Sequence, residues 1–172
     1  WDADPFLMGV PGGAVDLTTG HLRQAEPSDN LTRATAVAPH GWADCPLWLE
    51  FLRQATGDDD SLVRFLQQIC GYALTGDTRE HALFFIYGPG GNGKSVFLSI
   101  FTGILHDYAV TAPMEAFTRS KNERHSTELA MMTGARLVTA SETEEGKSWA
   151  EARIKALTGG DLISARFMRE DF

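Results

Sequence analysis

Cysteine, basic charge and long apolar runs are what this sequence has least of. Among its 172 residues only Cys45 and Cys70 carry thiols. They lie far apart in apolar helical patterns, with no histidine at ligand spacing. That excludes a disulfide framework and a cysteine-ligated zinc site, so both read as reduced core residues. No apolar run approaches the roughly 18 residues of a membrane span, and no charged-then-apolar leader is present. The chain therefore reads as soluble and cytoplasmic, with no membrane partner. Lys and Arg number 15 against 23 Asp and Glu, a net charge of −8. Residues 1–80 hold 5 basic and 12 acidic side chains, and residues 81–172 hold 10 and 11. The first part is thus the poorer surface for a polyanion. Internal repeats and low-complexity segments are also missing. What is there is 43% hydrophobic, enough for one domain of ordinary size or one and a half small ones. The start at Trp1 and the end at Phe172, directly after an apolar run, read as a piece cut from a longer protein.

Three stretches follow one another. Residues 1–43 are rich in Gly, Pro, Thr and Asp, and short alternating runs such as "AVDLTTGHL" and "LTRATAVAP" predict small strands or hairpins. Residues 44–76 change period. Pro46 opens a helix with Leu47, Trp48, Phe51, Leu52 and Ala55 on one face and Gly57 as its stop. A second helix starts at the Asp-Asp-Asp-Ser run and places Leu62, Phe65, Leu66, Ile69, Cys70 and Ala73 on one face. Residues 77–172 alternate: "ALFFIY" (82–87) as a buried strand, 94–105 as a helix, "DYAVTA" (107–112) as a strand, 126–134 as a helix ended by Gly134, and "ARLVTAS" (135–141) as a strand. Such alternation predicts an α/β fold, a parallel sheet flanked by helices. Trp42, Trp48, Phe84 and Phe85 fall in apolar periodic runs and are expected in the core.

Between the expected strand 82–87 and the helix from Lys94 stands "GPGGNGKS". Gly88, Gly93, Lys94 and Ser95 satisfy G-x-x-x-x-G-K-[ST] in the strand-loop-helix context that this phosphate-binding pattern needs. Glycines let the backbone turn its N–H groups inward onto phosphate oxygens, and the helix behind presents its positive end. The binding residues expected are Gly88, Pro89, Gly90, Gly91, Asn92, Gly93, Lys94, Ser95 and Val96. Lys94 is expected to neutralise the β and γ phosphates, and Ser95 to ligate Mg²⁺. Guanine-reading N-K-x-D is missing, which favours ATP.

Hydrolysis assisted by Mg²⁺ needs a carboxylate at the end of a neighbouring strand. Glu142 is the first acid after the apolar run 137–140, at the carboxyl end where ligands bind in open α/β sheets. It is the candidate metal ligand and base; Glu144 and Glu145 read as solvated loop acids. His125 reads as a loop or capping residue, and "TRSKNERH" (118–125) as a solvated loop.

Those residues carry a family resemblance. "GYALTGDTREHALFFIYGPGGNGKSVFLSIFTGILHDYA", "ARLVTASETEEG" and "IKALTGGDLISARFM", in that order, resemble the helicase part of the phage and plasmid primase-helicase family. This is a branch of the superfamily 3 helicases that includes the poxvirus primase-helicase. "GAVDLTTGHL" and the segment 45–76 resemble what precedes the ATPase core in the same family. The resemblance implies an AAA+-like P-loop NTPase domain with ATP and Mg²⁺ as cofactors, assembling into a ring, a hexamer in that family's manner, and translocating on single-stranded or forked DNA. It implies a phage or mobile-element protein working in a bacterial cytoplasm. It also matches Gly88–Ser95 to the phosphate loop, Glu142 to the acidic motif, and the stretch from Lys155 through Gly159, Gly160 and Asp161 to Arg166 to a motif leading into a DNA-contacting hairpin. Lys155 and Arg166 are its candidate nucleic-acid contacts. Two departures stand out. Ser141 holds the place usually taken by a first strand-end acid, and the chain stops before the family's later sensor strand and arginine, so this piece is expected to hydrolyse ATP weakly.

Without the family, 151–171 offers a helix through Ile154, Ala156 and Leu157, a Gly-Gly-Asp turn and the strand-like "LISARF". Its charge is balanced, which is weak support for phosphate tracking. Two other classes share the loop: a nucleotide or small-molecule kinase with 118–125 as its lid, and a non-hydrolysing ATP-gated assembly module.

Overall fold

The computed structural model describes residues 1–41, 44–119, 126–141 and 148–160. The chain opens with an antiparallel meander: β1 (Leu7–Val10), β2 (Gly13–Asp16) and β3 (His21–Arg23), in the order β1-β2-β3. Met8 pairs with Val15 and Val15 with Leu22. The β1-β2 turn carries Gly12 at φ 88. The expected hairpin at "AVDLTTGHL" is therefore present. "LTRATAVAP" forms no strand; instead the Thr35 amide donates to the Gly9 carbonyl (3.1 Å) and the Ala36 amide to that of Ile104 (3.0 Å). This segment is fixed by single bonds to two different elements rather than by a ladder.

Helices α1 (Pro46–Thr56) and α2 (Asp60–Leu74) follow. Pro46 stands at the N-terminus of α1, where its missing N–H costs nothing, and Gly57 caps the helix in the left-handed region at φ 64. Asp59 caps α2 by accepting from the Leu62 amide at 3.0 Å. Not every expected face is buried. Leu47 is 86% exposed, and Cys45, expected in the core, is exposed just before α1. Both lie at the helix start, where apolar periodicity has no second turn to reinforce it.

Next come α3 (Lys94–Leu105), β4 (Ala109–Thr111), α4 (Ser126–Met131), β5 (Leu137–Thr139) and α5 (Glu151–Gly159). β4 and β5 are parallel, with Val110 opposite Val138, and α3 packs on both. The fold is mixed α/β with a two-stranded parallel sheet. The expected strand 82–87 has no strand pairing among the described residues, and Phe84 and Phe85, expected in the core, are exposed along with Leu83 and Tyr87. An apolar run encodes an appetite for burial, but a strand is defined by the neighbour that accepts its N–H groups.

Two apolar clusters hold the elements. In one, Met8, Val10 and Val15 of the meander meet Ala73 of α2, Phe101 and Leu105 of α3, and Tyr108. In the other, Ala112, Ala116, Phe117 and Met132 meet Val138, Ile154 and Leu157, which seats α5 beside β5. The meander and α3 thus share a core.

Candidate functional site

The loop 88–93 turns by means of glycine. Gly88 (φ 148), Gly91 (φ 77) and Gly93 (φ 86) occupy backbone regions that L side chains rarely adopt. Two of them are also crowded. A Cβ on Gly93 would stand 2.9 Å from the Phe51 ring, and one on Gly88 would stand 2.6 Å from Asn92 Nδ2. The first contact shows what supports the loop from behind. Trp48 stacks on Phe51 (5.2 Å between ring centroids) and on Phe97 (5.8 Å), so α1 braces the first turn of α3. Trp48, expected in the core, is half-buried in this brace and belongs to neither apolar cluster.

Gly93 is the N-cap of α3 and offers no side-chain acceptor, and the first turn of the helix carries no acid. The N–H groups at that end are left for another acceptor, and the helix dipole adds partial positive charge there. Lys94 adds a full one. Its ammonium donates to the carbonyls of Gly88 (2.9 Å) and Pro89 (2.9 Å) and to Asn92 Oδ1 (2.7 Å). Ser95 and Val96, on the same turn, are exposed. Gly90 and Gly91 have no atom within 4 Å of a built Cβ, so the tip of the loop is open. Uncapped donors, positive charge and an exposed serine thus fall within one short stretch of the chain, a combination suited to an oxyanion. Beside the loop, a largely apolar groove of about 610 Å³ runs between α1, α2 and residues 83–87, with Asn92, Gly93 and Lys94 also in its lining.

β5 ends at Thr139, and its parallel partner β4 ends at the same edge, where the Ala112 amide donates to the Thr139 carbonyl at 2.8 Å. Ala140 and Ser141 follow that edge and are the last described residues before Glu142 in the sequence. Glu142, Glu144, Glu145, His125, Trp42, Asp161, Arg166 and the strand expected at "LISARF" lie outside the described residues. Lys155 is exposed on α5. Gly160 caps α5 at φ 73, and a Cβ there would stand 2.7 Å from Thr78 Oγ1. The Gly-Gly turn is thereby set against the segment that enters the loop. Among the described residues no group of three or more His, Cys, Asp or Glu could hold a metal ion.

Sequence reasoning missed three arginines that build the scaffold. Arg136 donates to the carbonyls of Leu74 (2.6 Å), Leu7 (2.6 Å) and Asp4 (3.3 Å). Arg33 reaches the carbonyls of Asp107 and Thr133, and Arg153 that of Ala116 at 2.9 Å. Each serves backbone carbonyls far away in sequence, so no local pattern announces it.

Residues 86–172 match a family described as a family of unknown function, DUF5906. The chain belongs to that family. Residues 1–57 of this DUF5906 chain match a second description, "D5 N terminal like", the N-terminal domain of primase-helicases. The resemblance read from the motifs thus has independent support at the opposite end of the chain. The chain is 25% identical over 178 aligned residues to a protein of Acanthamoeba polyphaga mimivirus named "Putative helicase L207/L206". The alignment covers 99% of this chain and 18% of the mimivirus protein. It is also 38% identical over 53 residues to the uncharacterized mitochondrial protein ymf21 of Marchantia polymorpha, covering 31% of this chain and 29% of that protein. The chain therefore spans a minor part of the length of both relatives.

Proposed function

We propose that this chain is the nucleoside-triphosphate-binding part of a DNA helicase of the primase-helicase kind, with ATP and Mg²⁺ as its cofactors. One observation carries the reading: Gly88, Gly91 and Gly93 in left-handed backbone, Lys94 within the loop they form, and an acid-free, uncapped helix start behind it. The relative named as a helicase and the N-terminal primase-helicase match support the assignment to a replication motor over other users of such a loop.

The residues fit the group in kind. Backbone N–H groups of 90–95 would receive phosphate oxygens, the Lys94 ammonium would neutralise their charge, and the exposed Ser95 hydroxyl would ligate the metal. Bound Mg-ATP supplies the phosphoanhydride whose cleavage drives the motor. Glu142, the first acid after β5 in the sequence, would orient and deprotonate the attacking water. Lys155 and Arg166 are the proposed DNA contacts. Assembly into a six-membered ring, which the resemblance implies, belongs to the same proposal.

The test is ATP turnover of the full-length protein with and without single-stranded DNA, together with unwinding of a forked duplex. The reading expects DNA-stimulated hydrolysis, and tight ATP binding without turnover in Glu142→Gln. ATPase indifferent to DNA and an inability to open a fork would overturn the motor assignment; normal turnover in Glu142→Gln would overturn the base.

A further inference from the structure

Lysine carries three N–H donors and no acceptor, and Lys94 spends all three on its own loop: the carbonyls of Gly88 and Pro89 and the Asn92 side-chain oxygen. A phosphate oxygen that takes Lys94 must displace one of them. The three acceptors differ in what it costs to move them. Gly88 and Pro89 offer backbone carbonyls, and Gly88 sits at φ 148, so withdrawing either means reshaping the turn. The Asn92 amide turns about two side-chain bonds and leaves the backbone where it is. Asn92 is half-buried, so its oxygen can exchange Lys94 for water. Only its Oδ1 can accept from the ammonium, and Nδ2 lies 2.6 Å from where a Cβ on Gly88 would stand.

We propose that Asn92 is the positioning residue that competes with phosphate for Lys94, holding the ammonium in the loop and yielding it to an incoming triphosphate. The proposal rests on the nucleotide-binding reading above and deepens it. The Asn92 side chain touches neither phosphate nor metal in this role; it acts through Lys94, and so it sets affinity for the nucleotides whose phosphates reach that lysine. The glycine requirement at position 88 follows from the same contact, since a side chain there would push the amide off the ammonium.

The experiment measures ATP, ADP and AMP affinity of the full chain by titration calorimetry for wild type, Asn92→Ala and Asn92→Asp, with a thermal melt of each. With the competitor removed, Asn92→Ala binds ATP about tenfold tighter, the scale of one exchanged hydrogen bond to a charged group. Asn92→Asp, a full negative charge on the same ammonium, binds ATP at least about tenfold weaker. AMP, whose phosphate lies short of the β and γ positions that the lysine serves, shifts by less than about twofold in either variant. A structural role would move all three nucleotides together and lower both melts. ATP affinity in Asn92→Ala equal to or weaker than wild type overturns the competition while leaving the nucleotide reading in place. Failure of the wild-type chain to bind ATP overturns both.

Discussion

The guanidinium of Arg136 lies 4.6 Å from the ring centre of Tyr108, a residue with no exposed surface. The Arg136 amide in turn donates to the Tyr108 carbonyl at 2.8 Å. Tyr108 OH accepts from the Gly9 amide (2.9 Å) and donates to the Arg33 carbonyl (3.1 Å). One stacked pair thus joins the antiparallel meander, the end of α3 and the start of β5. Through it the segment matching the N-terminal primase-helicase domain and the segment carrying the glycine loop become one structural unit.

Removing that joint is expected to destabilise the whole chain. Tyr108→Phe leaves the buried Gly9 amide without its acceptor and costs about 1–3 kcal/mol. Arg136→Ala loses three carbonyl contacts and the ring contact, and exceeds the Phe variant. Denaturant unfolding checks both, with near-native midpoints as the contrary outcome.

The same tyrosine makes stability depend on alkali. Burial raises the Tyr108 hydroxyl above its ordinary value. A raised folded value means that its contribution is complete below the unfolded pKa near 10 and is lost as pH rises through the folded value. The wild-type chain should lose more stability above pH ~10 than Tyr108→Phe does. Parallel pH profiles for the two would contradict this.

Burial also pushes the Cys70 thiol up to about 11. At pH 8 its thiolate fraction is on the order of 10⁻³, so alkylation should be slow until the chain unfolds. Exposed Cys45 should label first, as mass spectrometry of a timed iodoacetamide reaction would establish. Equal labelling rates would contradict the shielding of Cys70, which is partly buried against the first apolar cluster.

Asp29 is held at about 2 by Arg23, which meets both carboxylate oxygens at 2.7 and 2.8 Å. With a depressed folded value, this pair contributes above the unfolded pKa of about 4 and is lost as pH falls through about 2. A carbon-detected titration of the carboxyl group should find the midpoint low, and Arg23→Ala should return it toward 4.

Legibility followed the range of the interactions. The two helices 46–56 and 60–74, with Gly57 and Asp59 at their ends, could be read because caps and periodicity act within a few residues. So could the turn of the loop, since Gly88, Gly91 and Gly93 each answer a local backbone demand. What could not be read depends on distant partners. The apolar run 82–87 promised a strand but names no neighbour. Arg136 and Arg33 look like surface cations until the carbonyls they serve are seen. Asn92 read as one member of the loop, and only its contact with Lys94 separates it from the others. Leu47 and Cys45 show the opposite error, apolar residues credited to a core that begins one turn later.

The central claim is that Lys94 and the loop 88–95 bind a nucleoside triphosphate. Titration of ATP with Mg²⁺ into the full chain, wild type and Lys94→Ala, tests it most directly. The account predicts saturable binding by wild type and a loss of about 100-fold or more in Lys94→Ala, on the scale of two charge-assisted hydrogen bonds. No binding by the wild-type chain, or equal affinity in the two, would contradict it.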